Sequence, residues 1–247
     1  MNVDVRKVAL VTNVHQYAGP GAVEGLLGEG MIVVGHDVRF TDADARETFV
    51  AGRPQLFATA EANPGALVGM VLSEHGRLDA LISNDIVPEP IRPIDGSSAQ
   101  DYRDILEAGT VYPFLLSQAV MPHMRARRSG AIVFVTSATS FHPMGEAALY
   151  CSSRAATTAY AIALGRALGP DNIQVNAVGP HWTSNNTYFP EGWEEMMPAF
   201  KAKLDTEIPL RRLGTQTEIG QLIALLASQR ATPLTAQFIK FAAGAYP

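Results

Sequence analysis

Two apolar rhythms alternate along this chain. Short runs rich in Val, Ile, Leu and Phe, each closed by turn residues, are separated by longer segments with helical periodicity. Residues 8–12, 31–35, 55–59, 78–83, 131–136, 173–178 and 237–242 read as strands. Residues 19–28, 64–74, 98–127, 147–168, 193–206 and 217–228 read as helices, with another capped by the polar stretch 41–44. Pro64 suits a first helical turn. Pro113 or Pro122 is expected to bend the long helix 98–127, because proline removes a donor and clashes with the preceding turn. The run 131–136 has almost no polar interruption, the pattern of a strand covered on both faces. Strands alternating with helices over the whole length predict a single α/β domain, residues 1–247. Its core is a doubly wound parallel sheet of about seven strands with helices on both faces.

Composition narrows the function classes. With 47% hydrophobic and 17% charged residues the chain is too apolar for disorder, and 247 residues can bury a large core. The formal net charge of −5 argues against a nucleic-acid partner, and the short basic cluster 123–128 closes a helix, where cations suit the dipole. A lone cysteine, Cys151, excludes an internal disulfide framework and suits a reducing compartment. With no long apolar leader and no 18-residue apolar stretch, a cytoplasmic protein without a membrane partner is expected. The six histidines show no metal-ligand spacing, so no metal is expected. There is also no Gly-x-Ser-x-Gly elbow.

Tyr150 and Arg154 stand four apart on a predicted helix, so both emerge from one face. A permanently charged guanidinium beside a phenol favours its ionised form, which makes a general base. The spacing alone is equally compatible with a structural pair. Ser137 alters the picture. It ends the fifth predicted strand and opens the loop to the Tyr150 helix, either as a turn serine or as a hydroxyl facing the crevice at the sheet's C-terminal edge.

Strand-end Ser137, Tyr150 thirteen positions later and basic Arg154 four beyond resemble the catalytic set of the Rossmann-like short-chain dehydrogenase/reductase superfamily. The stretch 176–180, Asn-Ala-Val-Gly-Pro, extends the likeness along the chain. The cofactor-facing positions depart from that superfamily. Its first turn, Thr-Gly-x-x-x-Gly-x-Gly, reads here from Thr12 to Gly19 with Asn13 and Tyr17 in place of two glycines. Arg154 replaces the family lysine, Gly109 the helix asparagine, His181 the glycine of the Pro-Gly loop, and Ser83-Asn84-Asp85 the fourth-strand motif. These changes predict no cofactor. Asp37, at the end of the second strand, is the one dissenting residue: it can hold a dinucleotide ribose or cap a turn.

Thr12, Tyr17 and Gly19 together with Ser137, Tyr150 and Arg154 resemble the halohydrin dehalogenases, cofactor-independent lyases that interconvert vicinal haloalcohols with epoxides and halide. That resemblance implies substrate positioning by Ser137, proton abstraction by Tyr150, stabilisation of the phenolate by Arg154 and a proton relay through Asp85. It implies a halide site at Tyr17 and Pro180-His181-Trp182-Thr183, although the family often has asparagine where His181 stands. Pro88, Ile91, Thr139, Met144, Tyr188 and Phe189 become candidates for the substrate wall, as does Trp182. The expected partners are a small haloalcohol or epoxide, a halide or other small anion, and three further copies of the chain in a homotetramer. An NAD(P)-dependent reductase with degenerate motifs and a non-catalytic ligand-sensing relative are the alternatives.

Overall fold

Successive residues of each strand feed two different cores, the period-two rule applied to a sheet covered on both sides. The computed structural model describes residues 6–85, 94–231 and 233–246. Its strands are β1 Val8–Thr12, β2 Ile32–His36, β3 Leu56–Thr59, β4 Ala80–Ser83, β5 Gly130–Val135, β6 Ile173–Pro180 and β7 Phe238–Phe241. They form one parallel sheet in the order β3-β2-β1-β4-β5-β6-β7. Ala9, Val11, Ile82 and Val133 point to one face, where helices α1 (Gly19–Gly28), α2 (Ala43–Val50) and α9 (Gln216–Ala227) pack. Leu10, Leu81, Ile132 and Phe134 point to the other, against α3 (Pro64–His75), α5 (Tyr112–Arg127) and α6 (Ala148–Leu168). Strand order reverses between β1 and β4, the switch point at which a parallel sheet of this kind opens a crevice at its C-terminal edge.

Local chemistry sets the helix ends. Asn63 accepts from the Ala66 N–H ahead of Pro64, and Gly76 (φ 71°) ends α3 in the left-handed conformation. Thr215 and Glu218 form a reciprocal capping box at the start of α9.

One long helix breaks beside a proline as expected, and a second helix differs from expectation. Residues 98–127 form α4 (Ala99–Leu106), a π turn (Glu107–Val111) and α5: the break falls at the turn ahead of Pro113, whose missing N–H and ring bear on the Gly109 carbonyl four residues back, while Pro122 lies inside a continuous helix. The widened turn is held by α6, whose Thr157 Oγ1 donates to the Gly109 carbonyl at 2.5 Å. Residues 193–206 divide into α7 (Trp193–Met196) and α8 (Pro198–Glu207), because Pro198 disfavours helical backbone at Met197. With the loop after β6 these helices build a satellite core around Trp182, Phe189, Trp193, Leu204 and Ile208. None of the described helices is long and apolar enough to cross a membrane.

Candidate active site

The first turns of α6 carry Tyr150 and Arg154, both buried, with the guanidinium carbon 5.2 Å from the centre of the Tyr150 ring. The i,i+4 spacing of the sequence is thus a stacked pair on one helix face. Ser137 follows β5 and caps a short 3-10 turn (Ala138–Ser140). Its Oγ accepts from the Thr139 N–H at 3.2 Å and from Thr139 Oγ1 at 2.9 Å. Among the described residues its own proton has a single long contact, 3.5 Å to the Pro180 carbonyl. Ser137 is therefore both a turn serine and a hydroxyl with its proton still available.

Ser137 and Tyr150 line one cavity. Tyr17, Pro180, His181, Trp182 and Thr183 border it, as do Thr139, Met144, Tyr188 and Phe189. Pro88 and Ile91 lie outside the described residues. Asn185, Met197 and Phe200 also line the cavity and escaped the sequence reading. Asn185 had a detectable signal, a loop asparagine able to bond its own backbone. Its Nδ2 donates to the Thr183 carbonyl and its Oδ1 accepts from the N–H groups of Thr187 and Tyr188. Met197 and Phe200 have none, since only the turn at Pro198 brings them over the site.

The cavity wall is aromatic, with Tyr17 edge-on to Tyr188 at 5.3 Å and Tyr150 6.4 Å from Tyr188. The Tyr17 hydroxyl lies 3.1 Å from the Thr136 carbonyl and 3.3 Å from that of Pro180. Trp182 Nε1 and the Tyr188 hydroxyl are buried without a hydrogen-bond partner among the described residues. Burial, reinforced by the neighbouring phenols, pushes both Tyr17 and Tyr188 well above the usual tyrosine range, so both stay protonated. Burial pushes His181 down to about 4, helped by the charges of Lys203 and His142.

Arg154 and Asp85 sit behind this wall. Arg154 Nη1 donates to the Asp85 backbone carbonyl at 2.7 Å, while Nε and Nη2 have no partner among the described residues. Burial opposes the guanidinium charge, but the facing phenols of Tyr150, Tyr188 and Tyr17 outweigh it and hold the group above its ordinary value. The Asp85 carboxyl accepts from Ser83 Oγ and from Asn13 Nδ2. Burial lifts it to about 6, against the hydroxyls of Ser83 and Thr12 and the charge of Arg154.

The turn after β1 does not fit a dinucleotide pyrophosphate, which needs free backbone N–H groups. Every N–H from Val14 to Gly19 is already taken, by the His36 carbonyl, Asp37 Oδ2, the Asn13 carbonyl, Thr187 Oγ1, Asn84 Oδ1 and the Gln16 carbonyl in turn. Asn13 (φ 49°) and Tyr17 (φ 52°) keep the left-handed backbone of the glycines they replace, and the Tyr17 ring is buried in the cavity wall. Asp37, the dissenting residue, caps the 3-10 turn Val38–Thr41 through the Arg39 N–H and pairs with His15 Nδ1 at 3.0 Å. No cluster of His, Cys, Asp and Glu among the described residues could hold a metal ion.

Known proteins share this architecture. A family model described as enoyl-(acyl carrier protein) reductase matches residues 21–245. A galactitol 2-dehydrogenase of Agrobacterium fabrum is 29% identical, with 94% of each chain covered. Among solved structures, a halohydrin dehalogenase bound to ethyl (2S)-oxiran-2-ylacetate is 40% identical, with 96% of each chain covered and a TM-score of 0.92. A second, described as a dehalogenation enzyme, is 36% identical over 98% of each chain, with a TM-score of 0.91. Sheet order, the Ser137–Tyr150–Arg154 set and the family match over 21–245 agree: this chain is an enzyme of the short-chain dehydrogenase/reductase superfamily.

Proposed function

We propose that the chain is a cofactor-independent halohydrin dehalogenase, converting vicinal haloalcohols to epoxides with release of halide and a proton. The carrying observation is that the Tyr17 ring shares a cavity with Ser137 and Tyr150, in a turn whose N–H groups from Val14 to Gly19 are engaged. An intact serine–tyrosine pair beside a turn whose Val14–Gly19 donors are spent and whose second glycine is a tyrosine suits chemistry that transfers no hydride. The likeness to the two dehalogenase structures supports the same reading.

Bond changes balance without a redox partner. The Tyr150 phenolate takes the proton of the substrate's hydroxyl while Ser137 donates to that oxygen and orients it. The oxygen's electron pair forms a C–O bond to the neighbouring carbon, and the C–X pair leaves with the halide. Tyr17, Pro180, His181, Trp182 and Thr183 border the halide. The unspent Trp182 N–H is a donor for charge developing in the cavity. Among the described residues Arg154 meets Asp85 at its backbone carbonyl and not at its carboxyl, so we assign Asp85 the holding of Arg154 beside Tyr150 and not the proton relay expected from the sequence. In reverse, small anions such as halide, azide, cyanide or nitrite open the epoxide. The working unit is a homotetramer, as expected for this family.

The test is to incubate nucleotide-free protein with 1,3-dichloropropan-2-ol near pH 8 and follow chloride. Release without nicotinamide, lost in Tyr150→Phe, supports the reading. No release from several chloro- and bromoalcohols, with tight nicotinamide binding, would return the chain to the reductases.

A further inference from the structure

Two residues of the cavity wall hold left-handed backbone without being glycine: Tyr17 (φ 52°) and Trp182 (φ 52°). Such conformations persist only where surrounding structure holds them. Both residues give their carbonyl oxygens to the same three-residue stretch, 214–216, at the start of α9. The Trp182 carbonyl accepts from the Gly214 N–H at 2.8 Å, and the Tyr17 carbonyl from Gln216 Nε2, also at 2.8 Å.

Gln216 Nε2 also donates to the Ser184 carbonyl at 2.6 Å, while its Oε1 accepts from the Gly21 N–H at 2.9 Å. One carboxamide therefore ties together the turn after β1, the first turn of α1 and the loop after β6. The stretch is itself fixed. Ser184 N–H donates to the Gly214 carbonyl at 2.8 Å, and a Cβ on Gly214 would lie 2.4 Å from Phe241. A Cβ on Gly220 of α9 would lie 2.1 Å from the Gly21 carbonyl, so α9 and α1 meet backbone to backbone.

We propose that Gln216 is a positioning residue for the anion end of the cavity. Its carboxamide sets the Tyr17 turn and the 182–184 segment in one register, so that Tyr17 and Trp182 keep the separation that a small monovalent anion requires. The inference rests on the dehalogenase reading above, in which these residues border the leaving halide. Gln216 does not line that cavity, so its effect passes through the two aromatic residues.

The experiment compares wild type with Gln216→Leu and Gln216→Glu. Leucine removes all three bonds. Glutamate keeps an oxygen for Gly21 but sets it against two carbonyls. Bromide is titrated against tryptophan fluorescence, since Trp182 is in the wall and heavy halides quench indoles on contact. The bromide Kd is expected to rise about tenfold in both variants, equivalent to ~1.4 kcal/mol. In azide opening of an epoxide, the KM for azide rises while that for the epoxide holds. A purely structural role would reduce the amount of folded enzyme and move neither constant. Equal bromide affinity in wild type and in whichever variant folds overturns the positioning role and leaves the dehalogenase reading standing. If wild type itself shows no saturable quenching, the halide site falls, and this inference with it.

Discussion

Arg154 meets Asp85 at its backbone carbonyl, 2.7 Å from Nη1, while the Asp85 carboxyl is held by Ser83 and Asn13. Burial outweighs the hydroxyls of Ser83 and Thr12 and the charge of Arg154, lifting the carboxyl to about 6. A carboxylate close to an arginine would ordinarily be expected to stay ionised well below neutrality. Here it titrates within the working range of an enzyme.

A raised carboxyl pKa stabilises the fold at low pH, because the native state then binds a proton the unfolded chain has lost. That contribution is complete below about 3.9 and vanishes as pH rises through about 6, a loss of about 3 kcal/mol. Asp85→Asn should therefore lose less stability than wild type between pH 4 and 7 in urea denaturation. An unchanged slope would mean the carboxyl stays ionised throughout.

His181 acts with the opposite sign. Its native pKa, near 4, lies below that of a free histidine, so protonation favours the unfolded chain as pH falls from about 6.5 to 4, costing up to about 3 kcal/mol. His181→Asn should resist acid unfolding better than wild type over that window. The wild-type halide-release rate should show no protonation step above pH 5 that the His181→Asn variant lacks.

Tyr150→Phe and Ser137→Ala should each lower halide release by at least about 100-fold, the lower end of what a positioned acid–base group contributes. Circular dichroism and melting temperature should stay close to wild type. A folded variant with near-normal turnover would dismiss the role assigned to that residue.

Arg154→Lys keeps a charge but exchanges a planar fork for a point charge. It cannot both lie beside the Tyr150 ring and reach the Asp85 carbonyl in the same way. Activity should fall and the pH optimum of halide release should move. A rate–pH profile that overlays wild type would count against Arg154 acting on the phenol.

Thr157→Val preserves volume but removes the hydroxyl that satisfies the Gly109 carbonyl in the π turn. The unpaired buried carbonyl should cost about 1–3 kcal/mol in denaturant unfolding, with substrate KM unchanged. A neutral result would show that the turn closes on another donor.

Much of this molecule is written locally. Strand alternation, the helix ends at Asn63, Gly76 and Thr215, the stacked Tyr150–Arg154 pair and an aromatic in a glycine turn all follow from backbone geometry over a few residues. The break near Pro113 was also legible, since a proline there leaves the Gly109 carbonyl without its helical donor; tertiary structure decided that it takes the form of a π turn, with Thr157 of a different helix bonding that carbonyl. It decided that Asp37 is spent on the 13–17 turn, that Met197 and Phe200 reach the cavity, and that Gln216 lies against a tyrosine 199 residues earlier. It also decided the ionisation of Asp85 and His181. Periodicity and spacing are properties of the chain, whereas desolvation and long-range hydrogen bonds exist only once separate loops have met over the edge of the sheet.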